Sequence, residues 1–210
     1  AGLVSKPMVN YLSNNGMQLT IASLILSQAE QLAEGKSNCV AKQIDVAKDE
    51  ANLASMVEEA DVVVSLLPAT HHICVAKQCL AKKKSLVTTS YVSPAMQEMD
   101  EAVKQAGIIF INECGLDPGI DHMSAMKTID EVKSNGGKVI AFSSYCGGLP
   151  AMKFNNNPLG YKFSWSPRGF VSAVKNNAKF KKDGLIVEIP AEKLFENYEF
   201  IEIPEFGVFE

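Results

Sequence analysis

The residues with the clearest capacity for acid–base chemistry lie in one short stretch, NECGLDPGIDHM, at positions 112–123. The apolar run before this stretch predicts a strand, and the spacing of apolar residues after it predicts a helix that begins near Gly119. Asp117 therefore lies where a strand gives way to a helix, and Pro118 disfavours helical backbone angles at Asp117. Asp121 alone would serve as a helix cap. We interpret Asp117 as a carboxylate held in an extended corner for acid or base chemistry.

Three further groups combine reactive side chains with unusual local sequence. Cys146 lies in SSYCGGLP, where glycines allow a ligand to approach the backbone, and it is either a site residue or an inert buried thiol. Trp165 and Arg168 lie in FSWSPRG and form either a binding wall for a substrate carboxylate or, for the tryptophan, a packing anchor. His71 and His72 open a predicted helix and could be bases. Surface positions are favoured for both histidines, because the sequence shows no partner.

The elements that would position these residues alternate regularly. Helical periodicity and short apolar strands follow one another through residues 4–114, and the strands are apolar on both faces. This pattern predicts an α/β fold with a Rossmann-like, doubly wound parallel sheet that is covered on both sides. Because the chain opens on a helix, we expect the first strand of the sheet to be missing and the chain to be part of a longer protein. Residues 1–118 would form this dinucleotide-binding domain.

The pattern of residue types is different in residues 119–210. We assign these residues to the start of a truncated α+β substrate-binding domain. The pattern predicts that the segment 138–151 is a strand that runs into a Gly-Gly-x-Pro turn, and that a long irregular stretch follows. It also predicts a helix over about residues 170–180, and a hairpin that turns at Asp183 and Gly184.

A glycine before the first helix favours phosphate binding. Gly2 would let backbone N–H groups approach a phosphate, and Ser5 stands where the third small residue of the dinucleotide fingerprint belongs. Alone, a glycine at a helix start is more often a simple turn. The next strand ends in Ser23, Leu24 and Ile25, with neither the acid typical of NAD enzymes nor the arginine typical of NADP enzymes. The sequence therefore leaves NAD and NADP open.

The chemistry-bearing positions share one place in the predicted sheet. Ligands of doubly wound sheets lie beyond the carboxyl ends of the strands. Three predicted strands lead into Leu67, residues 88–91 and residues 116–118. We therefore expect these residues to face a single crevice.

Composition excludes several classes of protein. The chain has 210 residues, 47% of them apolar, and a net charge of -4 without a stripe of lysine or arginine, so nucleic acid is a poor partner. Five cysteines without a C-x-x-C pair disfavour a disulfide framework and a zinc site, and they fit a reducing compartment. The apolar runs are too short to span a bilayer, so no membrane association is expected.

Four longer segments, SYVSPAM, GLDPGIDHMSAMKTID, SYCGGLPA and NPLGYKFSWSPRG, resemble the saccharopine reductase family, the glutamate-forming saccharopine dehydrogenases. The similarity runs through essentially the whole chain, and the last two segments are far more specific than a glycine loop. The resemblance implies an oxidoreductase of lysine metabolism. Such an enzyme joins 2-aminoadipate 6-semialdehyde and glutamate as an imine and reduces it to saccharopine with a nicotinamide hydride, or runs the reverse reaction.

The resemblance also implies site residues. It makes Asp117 and Cys146 catalytic, with Cys146 close to the reacting carbon, and it assigns substrate contacts to Ser90, Tyr91 and Asp117. Cofactor contacts, to NADP or NAD, are implied for a larger set: Gly2, Leu3, Val4, Ser23, Asp45, Val46, Leu67, Thr89, Leu116, Asp117 and Pro118.

The expected partners are small molecules, with no metal, and with a homodimer or a fusion to a lysine-ketoglutarate reductase domain as assembly. The expected location is the cytoplasm or, alternatively, the mitochondrial matrix. Two other functions stay open: a carboxynorspermidine-type dehydrogenase of the same architecture, and a non-catalytic segment of a larger bifunctional protein. The FSWSPRG and YCGGLPA segments argue against the first of these.

Overall fold

The computed structural model describes residues 2, 4–196, 198, 200–204 and 207–209. The chain divides into two compact units, residues 1–147 and 148–210. The domain boundary that the sequence predicts, between residues 118 and 119, stays a prediction.

The first unit alternates helices and strands, as the periodicity predicts. Its helices are α1 (Ser5–Asn14), α2 (Leu26–Ala33), α3 (Glu50–Glu59), α4 (His72–Ala81), α5 (Pro94–Gln97), α6 (Asp100–Gln105) and α7 (Ile120–Ser134). Its strands are β1 (Leu19–Ser23), β2 (Cys39–Gln43), β3 (Val62–Ser65), β4 (Ser85–Thr88) and β5 (Phe110–Ile111), and a short 3-10 helix, Ala69–His71, precedes α4.

All strand pairs of the first unit are parallel. β1 pairs with β2, and β3, β4 and β5 form a separate sheet in that order. The prediction of an α/β fold with parallel strands is confirmed. In a parallel sheet the carboxyl ends of the strands lie at one edge. The segments that follow β3, β4 and β5 therefore emerge side by side.

The core of the first unit lies between α3, α4 and the three-stranded sheet. Leu86 of β4 is completely buried against Val57 of α3 and Cys79 of α4. The expectation that both faces of the strands are covered is wrong for the described residues, because Val40 and Val62 remain 56% and 55% exposed. A β-branched residue favours extended backbone whether or not it is buried, so an apolar strand does not by itself show two covered faces.

Residues 94–105 form two separate helices, α5 and α6. Ser93 caps α5, and Asp100 and Glu101 begin α6, where carboxylates suit the helix dipole. The strand expected in the first part of the segment 138–151 is absent, since the structure shows no strand or helix in residues 138–150.

The second unit contains small elements. These are α8 (Pro167–Ala173), the pair β6 (Ala178–Lys182) and β7 (Leu185–Ile189), the pair β8 (Ile201–Ile203) and β9 (Gly207–Phe209), and 3-10 helices at Met152–Phe154 and Ala191–Glu196. The expected helix over about residues 170–180 starts earlier and ends at Ala173. The predicted hairpin is confirmed: Asp183 and Gly184, with φ of 50° and 82°, join β6 to antiparallel β7. Among the described helices, none has both the length and the apolar character that a membrane crossing needs.

Candidate functional site

The candidate site lies beyond the carboxyl ends of β4 and β5. The segments that follow these strands are joined by two backbone hydrogen bonds: Cys114 N–H donates to the Thr88 carbonyl at 3.0 Å, and Glu113 N–H donates to the Ser90 carbonyl at 3.1 Å. Thr88 Oγ1 also donates to Asn112 Oδ1 at 3.0 Å. These bonds hold the chain after β5 against the chain after β4, so that Tyr91 and Asp117 emerge next to each other.

The Leu-Asp-Pro corner is a closed backbone loop. Gly115 N–H donates to the Pro118 carbonyl at 2.9 Å, Ile120 N–H returns to the Gly115 carbonyl at 3.0 Å, and the Asp117–Pro118 peptide bond is cis. Gly119 has φ of 150°, and a Cβ there would lie 2.2 Å from the Gly115 carbonyl oxygen, so only glycine fits. Pro118 and Gly119 are buried while Asp117 is exposed. The corner therefore presents the carboxylate outwards, as the sequence predicts.

A cavity of about 370 Å³ opens beside this corner. It collects side chains from the loop after β4, from the corner, from α7 and from the irregular stretch that follows α7. The lining residues are Tyr91, Asp117, Asp121, His122, Ala125, Phe142, Ser144 and Cys146. Three of the predicted site residues, Tyr91, Asp117 and Cys146, thus meet in one cavity.

Tyr91 and Asp117 form a direct hydrogen bond. The phenol Oη of Tyr91 donates to Oδ1 of Asp117. This bond and the surrounding carboxylates raise the pKa of Tyr91 to about 12, because removing the phenol proton would place a second negative charge against the carboxylate. Tyr91 is therefore a protonated donor at neutral pH, and its proton is aimed at the carboxylate that we expect to work in the reaction.

Titration of the tyrosines should detect this bond. We expect a phenolate absorbance step near pH 12 in the wild-type protein, and we expect Tyr91→Phe to remove it. In Asp117→Asn the step should return towards pH ~10, the usual range of tyrosine. Because the folded-state pKa is raised, the bond stabilises the folded protein fully below pH ~10 and loses its effect as the pH rises through the folded-state value. A step that does not move in Asp117→Asn would contradict the assignment.

A second carboxylate in the cavity is paired with a histidine. Asp121 Oδ1 lies 2.7 Å from His122 Nδ1 and accepts the Gly119 N–H at 3.0 Å. Desolvation opposes the charge of Asp121, but the hydrogen bonds from His122 and Gly119 outweigh it and lower its pKa. The same pair raises the pKa of His122. Asp121 is not the helix cap that the sequence suggests, because Gly119 is the N-cap of α7 and Asp121 lies inside the first turn. It contributes negative charge to the cavity.

Cys146 enters the cavity from irregular chain, because the strand expected in this segment is absent. Desolvation and the charges of Asp117 and Asp121 together raise the pKa of the Cys146 thiol. A raised pKa keeps sulfur in the thiol form, which is a poor nucleophile. The thiol is therefore suited to contact a substrate or donate a weak hydrogen bond, and not to attack carbon.

The cavity also gathers groups that ligate metals in other proteins. One ligand atom from each of Asp117, Asp121 and His122 lies within 4.8 Å of the others. Tyr91 already donates to Asp117, and His122 is hydrogen-bonded to Asp121, so the cluster is held together without an ion. The expectation that the site uses no metal stays a prediction.

The predicted phosphate site lies at the start of α1. Among its residues, Leu3 falls outside the described residues, while Gly2 and Val4 are exposed. The helix has no side-chain cap and no acidic residue in its first turn, and nothing lies within 4 Å of a Cβ placed on Gly2. Gly2 N–H donates to Ser5 Oγ at 2.9 Å. An uncapped, acid-free helix start with open space at its glycine fits a dinucleotide pyrophosphate.

The remaining predicted cofactor residues follow other strand ends. Ser23 ends β1 and is buried, and Asp45 and Val46 follow β2. Leu67, after β3, packs against the core, and the Thr89 carbonyl lies close to Gly115. Apart from Asp117, the predicted cofactor residues do not line the cavity beside the corner. Gly2 borders a different cavity of about 230 Å³ between α1 and α2.

Sequence reasoning missed several residues of the site. His122 lies in the same quoted stretch as Asp117, and its position next to Asp121 on the first turn of α7 could have indicated the pair. Phe142 and Ser144 carry no sequence signal of their own, because they line the cavity only through the path of irregular chain. The prediction that His72 lies on the surface is wrong, since its side chain is buried at the start of α4.

The aromatic segment of the second unit forms a local cluster. Trp165 Nε1 donates to Tyr161 Oη at 3.0 Å, and Phe170 stacks on Tyr161 with ring centroids 5.7 Å apart. Trp165 also meets Phe170 edge-on. These contacts support the reading of Trp165 as a packing anchor within its unit, and the substrate role of Arg168 stays a prediction.

Parallel strands, an open helix start after a glycine, and a polar cavity beyond the strand ends are together typical of a dinucleotide-binding α/β fold. The comparisons with known proteins specify it further. Residues 1–111 match the model described as the saccharopine dehydrogenase NADP binding domain, and residues 115–210 match the saccharopine dehydrogenase C-terminal domain. The chain therefore belongs to the saccharopine dehydrogenase family, as its motifs predict.

Individual relatives agree with this assignment. The chain is 49% identical over 197 residues, 93% of its length, to saccharopine dehydrogenase [NADP(+), L-glutamate-forming] of Schizosaccharomyces pombe, and 45% identical over 190 residues, 90% of its length, to mitochondrial alpha-aminoadipic semialdehyde synthase of Mus musculus. It covers 44% and 20% of those proteins. The solved apo structure of saccharopine dehydrogenase (L-Glu forming) from Saccharomyces cerevisiae superposes with a TM-score of 0.85 at 43% identity, over 99% of this chain and 47% of that one.

Proposed function

We propose that this chain supplies the dinucleotide-binding and part of the substrate-binding surface of an NAD(P)-dependent oxidoreductase. The enzyme would interconvert saccharopine with 2-aminoadipate 6-semialdehyde and glutamate, a step of lysine synthesis or degradation. The observation that carries the proposal is the cavity in which Tyr91, Asp117 and Cys146 meet beyond β4 and β5. The names of the relatives point to the same reaction.

The electrostatics of the cavity suit a nitrogen cation. Saccharopine is a secondary amine that is protonated near neutral pH, and the imine derived from it accepts a hydride best when protonated. Asp117 and Asp121 place two carboxylates in the cavity, with only His122 as a neighbouring cationic group among its lining residues. An opposite charge at close range favours the protonated nitrogen. The cavity would therefore hold the reacting nitrogen between the carboxylates.

Proton transfer would fall to Asp117. In the oxidative direction the amine nitrogen gives its proton to the carboxylate, the adjacent carbon loses a hydride, and a C=N bond forms. Water then adds to that carbon, and the C–N bond breaks to release glutamate and the semialdehyde. A bound nicotinamide supplies or removes the hydride. The Tyr91 hydroxyl holds the Asp117 carboxylate in one orientation throughout.

The cofactor would lie along the strand ends. We assign its pyrophosphate to the start of α1, at Gly2, Leu3 and Val4, and its adenosine ribose to Ser23. Asp45 and Val46 would border the adenine, while Leu67 and Thr89 would border the nicotinamide. Leu116, Asp117 and Pro118 would separate cofactor from substrate, and Ser90 would join Tyr91 and Asp117 as substrate contacts. The open helix start and the order of strand ends support this placement.

The proposal is tested with the complete polypeptide, because this chain spans less than half the length of the relatives of the glutamate-forming type. We expect NADH or NADPH to be oxidised only when 2-aminoadipate 6-semialdehyde and glutamate are both present, with saccharopine as the product. Turnover of carboxynorspermidine instead would favour the sister enzyme. No oxidation of either cofactor with any of these substrates would leave only a non-catalytic role.

Assembly and location are proposals of the same kind. Two relatives at 44–45% identity, from mouse and rat, carry the word mitochondrial in their names, which supports the mitochondrial matrix as the alternative to the cytoplasm. A homodimer and a fusion to a lysine-ketoglutarate reductase domain stay predictions. The mass of the native protein and of its polypeptide would decide both.

A further inference from the structure

His72 is a buried histidine whose two ring nitrogens both have partners. Its side chain is 3% exposed at the start of α4. Nδ1 lies 2.8 Å from Ser65 Oγ, at the end of β3, and Nε2 lies 2.8 Å from Ser90 Oγ, in the loop after β4. The imidazole thus bridges two neighbouring strand ends, one of which leads directly to Tyr91.

The ring is neutral in the folded protein. Burial, followed by the nearby charge of His71, lowers the pKa of His72. A neutral imidazole has one N–H donor and one acceptor nitrogen. One of the two serines must therefore donate to the ring, and the other must accept from it. If Ser90 accepts from the ring, its hydroxyl proton is available to a ligand. If Ser90 donates to the ring, only its lone pairs are available.

The hydrogen-bond partners of Ser65 determine which ring nitrogen of His72 carries the proton. Ser65 is 3% exposed, so its hydroxyl proton needs a partner within the protein. Among the hydrogen bonds of the described residues, its Oγ has no acceptor other than Nδ1 of His72. If Nδ1 carried a proton, the buried Ser65 hydroxyl proton would be left without an acceptor, which is unfavourable. Ser65 therefore donates to Nδ1, and the ring proton is on Nε2.

The tautomer of His72 determines which hydrogen bonds the Ser90 hydroxyl can make. With its proton on Nε2, His72 donates to Ser90 Oγ, so the Ser90 hydroxyl proton is not used by the histidine. The Ser90 backbone is already held, because its carbonyl accepts the Glu113 N–H at 3.1 Å. His72 therefore controls the remaining freedom of this residue, the orientation of its half-buried hydroxyl.

We propose that His72 is a positioning residue that fixes the Ser90 hydroxyl as a hydrogen-bond donor to a carboxylate of the substrate. The identity of that ligand rests on the proposed function, in which saccharopine carries three carboxylates. A carboxylate only accepts hydrogen bonds, so a serine whose proton is free matches it. If Nε2 instead accepted the Ser90 proton, the serine would present only lone pairs and would repel the same group.

Two substitutions of His72 in the complete polypeptide separate positioning from packing. The amide of His72→Gln reaches the place of Nε2 and can still donate to Ser90, whereas the amide of His72→Asn reaches only the place of Nδ1. We expect His72→Asn to raise the KM for saccharopine by about tenfold, the loss typical of one hydrogen bond to a charged group. His72→Gln should stay within about threefold of wild type, because it keeps that bond. The KM for the cofactor should not change in either variant.

Ser90→Ala completes the test. This half-exposed residue tolerates truncation better than the buried histidine, and the variant should raise the KM for saccharopine as much as His72→Asn does. The double variant should show no further increase, because both changes remove the same contact. Additive effects, or equal losses in His72→Asn and His72→Gln, would overturn the proposal in favour of a packing role.

The tautomer provides a measurement that needs no substrate. Histidine-selective nitrogen NMR of the wild-type protein should show His72 with a protonated Nε2 and an unprotonated Nδ1. The opposite tautomer would overturn the proposal, whatever the enzyme catalyses. If the tautomer is as stated but saccharopine is not turned over, the proposed function fails while the geometry at Ser90 stands, so the two failures are distinguishable.

Discussion

Asp117→Asn in the complete polypeptide should lower turnover of saccharopine by about tenfold or more, the usual loss when a general acid or base is removed. The asparagine side chain has nearly the same shape and can still accept the Tyr91 hydroxyl, but it cannot take a proton or carry a negative charge. Both the proton transfer and the attraction for the nitrogen cation are lost. Steady-state kinetics with saccharopine, over a range of pH, measures the effect.

A matched control separates catalysis from a general loss of charge. Asp100 lies on α6, pairs with Lys104 at 2.7 Å and does not line the cavity. Asp100→Asn should leave turnover unchanged. Cofactor binding should also survive in Asp117→Asn, which fluorescence titration with the reduced cofactor would show. Full turnover in Asp117→Asn would remove this carboxylate from the mechanism.

Leu24→Arg should shift the cofactor preference towards NADPH by about tenfold or more, because a charge-assisted bond to the 2′-phosphate of the cofactor exceeds 1.4 kcal/mol. Leu24 follows β1 and is 62% exposed. The neighbouring Ser23 Oγ accepts the Ile25 N–H at 3.3 Å and donates to Gln28 at 3.4 Å. Arginine near this strand end is the usual partner of the 2′-phosphate in NADP enzymes.

The ratio of kcat/KM for NADPH and NADH measures the shift. Leu24→Gln is the control, since it adds a polar side chain of similar length without the positive charge and should leave the ratio near that of wild type. The advantage of Leu24→Arg should also shrink as salt is added, because exposed charges are screened. Equal ratios in the arginine and glutamine variants would show that the ribose lies elsewhere.

Some features of this protein could be predicted from its sequence and others could not. The GLDPG corner could be predicted from the sequence, because proline and glycine determine the backbone locally. In the structure Asp117 points outward, and Gly119 has a conformation and a space that only glycine fits. The hairpin turn at Asp183 and Gly184 could be predicted for the same reason. The surface position predicted for His72 is wrong, because the sequence around a histidine at a helix start is the same whether the side chain faces solvent or two serines. The strand expected in the first part of the segment 138–151 does not form, because an apolar run does not specify a pairing partner.

The sequence by itself determined the alternation of strands and helices, the parallel α/β class, the family, and the local geometry of the Asp117 corner. These depend on periodicity, on turn chemistry and on segments that are close along the chain. Only the tertiary structure decided that Tyr91, Asp117, His122 and Cys146 share one cavity, and that His72 is buried between Ser65 and Ser90. The physical reason is that the residues that share the cavity lie up to 55 positions apart in the sequence (146 minus 91). They arise from strand order and the path of irregular chain, which local backbone preferences do not encode.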